Sequence, residues 1–397
     1  MRAYACAYIR IIMKRTCTIG FDARYAIEGD TALSSYARYL IDAMSRACPR
    51  RGYFRLYGDR ESKREDYREL ASRHNVEAML PDGRLWRKMP WLWRQHAIGR
   101  DLQRGDVELF HSLDERLPLG LGRRNIRSVV TVHSLDFLST STFQNPVEST
   151  YRRVVMLSSL RRADRIIALS EGLKHDIVSK LGIDSDKVDV IYRGCDSRYN
   201  IEPTTEELTR VRECYSLPEH YVLTCGTQLQ RKNTAIILEA LTLTNNDLHL
   251  VVASRPTPYA TTLTERAAEL GISDRLHIIN PTTTADRVAL YHMAEVYVLM
   301  SLYEGFATSI VEALLTRTPV IAARGTTHEE AGGSNSLYVA NDDANALAEG
   351  IERIMADETL RNEMTTRGLS YAARFRPEVA AYNILNCYRR INVDIDE

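Results

Sequence analysis

Val296-Tyr-Val-Leu-Met300-Ser-Leu-Tyr-Glu304-Gly305-Phe306-Ala307-Thr308-Ser309-Ile-Val-Glu312-Ala-Leu314 runs from an apolar stretch through a small-residue turn into a helical periodicity. That succession is the pattern of a buried strand feeding a helix through a tight connection. Exposed amides and the positive dipole end at such a helix start suit a diphosphate, and Thr308 can cap the helix without blocking them. Glu304 sits in the turn. Glu312 lies four residues beyond Thr308, about 6 Å up the axis at the helical rise, a separation comparable to that from a diphosphate to a ribose. The two carboxylates could thus reach different parts of one ligand, although an isolated pair at this spacing also fits glutamates that only cap and solvate.

A second stretch of the same kind lies upstream. Cys225-Gly226-Thr227-Gln228-Leu229-Gln230-Arg231-Lys232-Asn233 follows the apolar run 221–225. Gly226 permits a tight turn, and Asn233 is a good cap for the next helix. Arg231 and Lys232 would project from the carboxyl end of a strand, where cations neutralise a departing diphosphate. An Arg-Lys pair in a loop is often just solvated; two phosphate-compatible loops in one domain strengthen each other.

Working outward, strands are expected over 17–21, 54–57, 107–110, 128–132, 165–169 and 188–192, and again over 221–225, 248–253, 276–279, 296–300 and 319–322. Helical periodicity fills 33–47, 151–162 and 172–181, then 234–243, 262–270, 285–293 and 309–316. Such alternation predicts a doubly wound parallel sheet. Having it twice predicts an α/β protein of two Rossmann-like domains facing a cleft, over 13–200 and 201–376, with ligands at strand carboxyl ends. The polar stretch 196–208, with Pro203, reads as the interdomain linker. After Pro377 a helix over 379–391 lies beyond the second sheet, so that segment 377–397 could pack back on the first domain.

Composition narrows the function. The 397 residues are 44% apolar and 26% charged, which suits a globular protein of two or three domains. The 52 basic and 52 acidic side chains balance, but the first 200 residues hold 35 against 25 and the remainder 17 against 27, a net +10 and −10. A general nucleic-acid binder would carry an excess that does not cancel, so none is expected; the first half is the part able to approach an anionic surface. Seven cysteines, an odd number without C-x-x-C spacing, indicate neither a disulfide framework nor a zinc knuckle and fit a reducing cytoplasm. No apolar run approaches the roughly 20 residues of a membrane span. The stretch 3–12 is broken by Arg10 and lacks a cleavage site, so a signal peptide is rejected and Met13 is a candidate start. No G-x-G-x-x-G follows an expected strand, which sets aside a nicotinamide-dependent oxidoreductase.

Two histidines in the first half, His111 and His133, each follow a buried-looking strand and read either as hydrogen-bonded structural residues or as groups facing the cleft. Asp184-Ser-Asp186 more simply caps a turn than binds a metal, and no metal is assigned. The stretch 84–104 holds all three tryptophans and six cations against one aspartate, net +5. Such a stretch could dock reversibly on anionic lipid, or could pack its tryptophans inward behind an ordinary basic face.

Together these residues resemble glycosyltransferase family 4, the retaining group 1 transferases of GT-B fold. Gly226-Thr-x3-Arg231-Lys232-Asn233 and Glu304-Gly-Phe-x5-Glu312-Ala look like its donor-site signatures. Ile19-Gly-Phe-Asp22-Ala-Arg24, Thr131-Val-His133, Ile166-Ile-Ala-Leu-Ser170, Val190-Ile-Tyr-Arg-Gly194-Cys-Asp196, Pro319-Val-Ile321 and Glu329 are similar to other family segments, so that the likeness extends through nearly the whole chain. One departure is Thr31-Ala32-Leu33-Ser34-Ser35-Tyr36, where the family usually carries a glycine-rich turn whose bare backbone lies against donor and acceptor.

The resemblance implies a nucleoside-diphosphate sugar held mainly by the second domain and no cofactor. Glu312 would bind the ribose and Glu304 the hydroxyls of the transferred sugar. The Gly226-Thr227 turn and the backbone of Gly305, Phe306, Ala307, Thr308 and Ser309 would lie against sugar and diphosphate. Arg231 and Lys232 would stabilise the leaving diphosphate in place of a divalent cation, and His133 would hydrogen-bond the transferred sugar. The motif style is that of mannosyl- and rhamnosyltransferases of surface polysaccharide synthesis, which points to GDP-mannose as donor and to a saccharide or lipid-linked acceptor met in the cytoplasm, at the inner face of a membrane. The competing expectation is a catalytically silent, nucleotide-sugar-binding partner of another transferase, motivated by the altered turn at Ala32 and Ser34.

Overall fold

The structure, a computed structural model, describes residues 17–27, 29, 31–138, 146–244 and 247–393; the candidate start at Met13 lies outside them. The chain forms two compact units, one of residues 1–169, 173–194 and 377–397, the other of 170–172 and 195–376.

In the first unit seven strands, β1 (Cys17–Asp22), β2 (Gly52–Tyr57), β3 (Val76–Met79), β4 (Leu109–Ser112), β5 (Arg127–Val132), β6 (Arg165–Ala168) and β7 (Val188–Val190), form one sheet in the order β3-β2-β1-β4-β5-β6-β7. Every pairing is parallel. The order reverses between β1 and β4, the position at which open α/β sheets bind ligands beyond their strand ends. Being covered on both faces, the central strands read as continuous apolar runs, and Ile19, Phe21, Val129, Val130, Ile166 and Ile167 are fully buried.

Helix Ala32–Ala47 packs its apolar stripe inward with Tyr36, Leu40, Ile41 and Met44 buried. It is capped by the Thr31 hydroxyl, which accepts from the Ser34 amide at 3.2 Å and meets the Ser34 hydroxyl at 2.8 Å. Ser34, at a position where a glycine was the family expectation, is thus part of the cap. Helix Pro377–Arg389 returns to pack on Ala32–Ala47. His111, whose role the sequence left open, is structural: fully buried, it hydrogen-bonds the Tyr388 hydroxyl at 2.6 Å and Thr131 Oγ1 at 2.8 Å, fastening that returning helix to β4 and β5.

The second unit holds β8 (Tyr221–Cys225), β9 (His249–Ala253), β10 (Leu276–Ile279), β11 (Val296–Leu299), β12 (Val320–Ala323) and β13 (Leu337–Val339), all parallel, in the order β10-β9-β8-β11-β12-β13. Its reversal falls between β8 and β11. Val222, Leu250, Val298 and Ile321 meet Leu238, Leu347 and Ile351 of the covering helices in one core.

One expectation changes here and one holds. The stretch 196–208 is not a loose linker, because Asp196 caps the turn Ser197–Asn200, Tyr199 is buried, and Thr204 with Glu207 forms a capping box opening helix Thr205–Cys214. The Asp184 carboxylate accepts from the Asp186 amide at 2.9 Å, the turn cap that its sequence suggested. Among the described residues no helix is long and apolar enough to cross a membrane.

Candidate functional site

The two loops singled out in the sequence leave β8 and β11, the strands that flank the second sheet's reversal. Gly226 has φ +107°, a left-handed conformation that side chains rarely tolerate, and this bends the chain sharply off β8. Gln228 then pins the turn: its amide donates to Ser254 Oγ at 3.2 Å and its side-chain nitrogen to the Gly226 carbonyl at 3.0 Å. Thr227 Oγ1 accepts from Arg255 at 3.4 Å. Residues 230–232 make a single 3-10 turn that ends on Asn233, also left-handed at φ +53°. Asn233 is therefore not the expected helix cap; it donates its side-chain amide to the Asn341 carbonyl at 2.6 Å, and helix Ala235–Leu243 starts from Thr234 without a side-chain cap.

The loops are tied to each other, since the Leu302 amide donates to the Arg231 carbonyl at 2.8 Å and Arg231 Nη1 to the Tyr303 carbonyl at 2.9 Å. This brings Glu304 against both cations: Lys232 Nζ lies 2.6 Å and Arg231 Nη1 3.2 Å from Glu304 Oε1, and Ser301 Oγ donates to the same oxygen at 2.8 Å. Burial alone would raise the Glu304 carboxyl, but Lys232, Arg231 and the Ser301 hydroxyl together hold it down to about 2, so it is ionised at neutral pH. Ser301 was not foreseen; only its place three residues before Glu304, at the end of an apolar strand, could have marked it.

Helix Thr308–Leu315 begins at Thr308 itself, with Ala307 at the cap position and no side-chain cap, so the expected cap by Thr308 does not form. Its hydroxyl is instead buried without a partner. Phe306 packs its ring on Phe375 at 5.4 Å between centroids, and Gly305 and Ala307 are buried, which holds the connection close to the strand end. The Ser309 carbonyl accepts from the Tyr291 hydroxyl at 3.3 Å.

Glu312, one turn into the helix, is half-buried rather than solvent-facing, and Oε2 accepts from the Tyr291 hydroxyl at 2.9 Å. Behind it Arg287 donates to the Tyr199 hydroxyl at 3.1 Å; burial alone would lower the guanidinium, but this hydrogen bond and the Glu312 charge raise it further. These neighbours were invisible in sequence, because Tyr199 sits in the presumed linker and Tyr291 and Arg287 in a helix read only for its periodicity.

His328, after β12, is a further residue that sequence reading passed over. It is 3% exposed, and its Nδ1 lies 2.9 Å from the Ala323 carbonyl. A carbonyl only accepts, so Nδ1 carries the proton and Nε2 is left as an acceptor with no partner. Burial pushes its pKa down, against the opposing pull of the Glu304 charge. Arg231 Nε is likewise buried and unpartnered. Unpaired buried polar atoms cost about 1–3 kcal/mol each. Three of them lie on Arg231, Thr308 and His328, on the loops and helices that follow the neighbouring strands β8, β11 and β12.

In the first unit, His133 places Nε2 2.8 Å from the Leu113 carbonyl and its ring edge-on to Tyr36 at 5.2 Å. Nε2 therefore donates inward, leaving Nδ1 as the acceptor. Burial, then the Arg193 charge, lowers its pKa to about 3, so the ring is neutral.

Comparison with known proteins accords with this geometry. Residues 36–199 match the family Glycosyltransferase Family 4, and residues 215–370 match Glycosyl transferases group 1. The chain belongs to the group 1 glycosyltransferases. As a member of that family it resembles D-inositol 3-phosphate glycosyltransferase of Corynebacterium diphtheriae, 25% identical over 66% of this chain and 65% of that protein. It also resembles the O-antigen chain mannosyltransferase RfbU of Salmonella typhimurium, 24% identical over 62% and 65% respectively. In both cases the match spans less than two thirds of the relative's length. Sucrose-phosphate synthase of Thermosynechococcus elongatus shares the fold, with a TM-score of 0.73 at 20% identity over 95% of this chain and 99% of that one. Both sheets are those of a GT-B glycosyltransferase.

Proposed function

We propose that the chain transfers a hexose, mannose foremost, from a nucleoside-diphosphate sugar to a hydroxyl of a saccharide or lipid-linked saccharide, with retention at the anomeric carbon and without a metal ion. The observation that carries this is the Glu304 carboxylate clamped between Lys232 and Arg231 at the second sheet's reversal, bordered by unpartnered polar atoms. In this reading the two cations and the N-terminus of helix Thr308–Leu315 stabilise charge growing on the leaving diphosphate. Gly226, Thr227 and residues 305–309 lie along diphosphate and sugar. Glu304, acceptor-only when ionised, takes hydrogen bonds from the sugar hydroxyls, and His328 Nε2 offers a further acceptor. Glu312 takes the ribose hydroxyls.

GDP-mannose as donor and surface polysaccharide as product are supported by the mannosyltransferase among the relatives. A cytoplasmic setting rests on the seven cysteines of the sequence, an odd number without C-x-x-C spacing. Contact with an anionic membrane is supported by a narrower patch than the sequence offered. Trp93 is buried, donating Nε1–H to Asp101 at 2.6 Å, and Arg94 and Arg104 pair with Asp59 and Asp82. Trp91 and Leu85, by contrast, are 66% and 60% exposed beside exposed Arg87 and Lys88.

The test is a screen of purified protein against nucleoside-diphosphate sugars, alone and with saccharide acceptors, following nucleoside diphosphate release and the anomeric configuration of the product by NMR. One donor turned over to a retained product supports the reading. Tight donor binding without any release would favour the silent partner instead.

A further inference from the structure

Tyr291 lies near the end of helix Thr284–Met293, which precedes β11, and it is wholly buried. Its ring stands edge-on to Tyr199 at 5.8 Å between centroids and against Tyr297 of β11 at 5.2 Å, so packing on both sides fixes the phenol. The hydroxyl is thereby aimed at the first turn of helix Thr308–Leu315, 2.9 Å from Glu312 Oε2 and 3.3 Å from the Ser309 carbonyl.

Both neighbours of that hydroxyl accept, and a phenol has one proton to give. The carboxylate is the nearer of the two and is charged, so it takes the stronger bond. Burial first, and then its neighbours Cys225 and Glu312, raise the phenol well above its ordinary value, which keeps it a donor.

A backbone carbonyl is enough to satisfy a buried phenol, as Tyr221 shows by donating to the Leu290 carbonyl at 2.7 Å. Tyr291 instead spends its proton on a glutamate, a side chain with several torsions to fix. Arg287 backs the arrangement: it donates to the Tyr199 hydroxyl at 3.1 Å and to Thr284 Oγ1 at 3.0 Å, and its charge and that of Glu312 attract. A carboxylate fixed before its ligand arrives loses less rotamer freedom on binding, and so binds more tightly through the same contacts.

We propose that Tyr291 is a positioning residue for the ribose of the nucleotide, its hydroxyl selecting the Glu312 rotamer in which the carboxylate accepts from the ribose hydroxyls. This rests on the assignment of Glu312 to the ribose made above. The chemical consequence is selectivity. A fixed carboxylate with two oxygens suits the paired hydroxyls of a ribonucleoside diphosphate and gains nothing from a sugar that lacks them. Tyr291 thus sets the preference for ribose from behind the site.

Calorimetric titration of the full chain with GDP and UDP, each beside its dideoxy analogue lacking both ribose hydroxyls, tests this. With whichever base binds, the wild type should prefer the ribose form by about tenfold or more. Tyr291→Phe keeps the ring and its packing and loses only the hydroxyl; it should cut that preference about fivefold while dideoxy affinity changes less than about twofold. Tyr291→Met, a second variant without the hydroxyl, should give the same reduced ratio and serves if the first does not fold. Glu312→Gln should remove the preference. If neither diphosphate binds, or the wild type shows no preference, or Glu312→Gln leaves the preference untouched, the ribose reading fails and the proposal falls with it. If Glu312→Gln removes the preference but the Tyr291 variants keep it, or weaken both forms equally, the ribose reading stands and the positioning role is overturned.

Discussion

Glu304 and Glu312 are eight residues apart on one connection, yet their surroundings give them different chemistry. Glu304 is fixed as an anion by Lys232, Arg231 and Ser301. Its folded value near 2 lies below the ordinary 4.5, so it contributes stability that is complete above pH about 4.5 and is lost as pH falls toward 2. The contribution is on the order of 3 kcal/mol. Urea unfolding of wild type and Glu304→Gln across that interval should therefore show the wild type losing its advantage on acidification; a constant difference would mean the pair is not coupled to folding. Glu312 needs a gentler substitution than alanine, because deleting it would remove the acceptor of the buried Tyr291 hydroxyl. Glu312→Gln keeps that acceptor and should weaken donor binding about tenfold in calorimetry with an unchanged melting temperature. Unchanged affinity would remove Glu312 from the ribose.

At the scale of elements, the returning helix Pro377–Arg389 is held by a hydrogen bond in the first unit's core. Tyr388→Phe leaves His111 Nδ1 buried without its partner and should cost about 1–3 kcal/mol, read as a lower urea midpoint with an unaltered slope. A neutral result would mean the ring packing alone fastens the helix. The elements legible in the sequence were those whose pattern is imposed by burial on both faces: β5, β8, β9 and β11 are almost wholly buried, are dominated by apolar residues and were placed within a residue or two. The edge strand β3 has only Val76 buried and offers no such run, and β13 is three half-buried residues; both escaped notice. Cap assignments fared worse. Asn233 and Thr308 are the residue types that cap helices, but a left-handed turn fixed by Gly226 and Gln228 took the first, and the tight exit from β11 started the helix at the second. Local propensity could not reveal either constraint, because each comes from the turn that precedes the helix rather than from the capping residue itself. The Glu304–Lys232–Arg231 cluster was legible as three residues on two strand ends; His328, Tyr291 and Arg287 were not, since nothing in their local sequence distinguishes them from ordinary packing, and Ser301 had only its place before Glu304 to mark it.

For the whole molecule, the opposite charges of the two halves become a division of labour: the basic half carries the exposed Leu85, Arg87, Lys88 and Trp91, and the acidic half the cationic loops. Liposome co-sedimentation should show binding that needs anionic lipid and falls as salt rises. Trp91→Ala with Arg87→Gln and Lys88→Gln should abolish it, whereas Arg94→Gln and Arg104→Gln, already committed to aspartates, should change it little. A supernatant protein at low salt would argue for a soluble acceptor. In the proposed reaction Arg231 and Lys232 act on charge that develops as the diphosphate leaves. Steady-state kinetics of Lys232→Met with the donor identified by the screen tests it most directly: kcat should fall about 100- to 1,000-fold while donor KM and the calorimetric Kd change less than about fivefold. An equal loss in kcat/KM and donor affinity, with kcat preserved, would show that the two cations bind the ground state only and take no part in stabilising the leaving diphosphate.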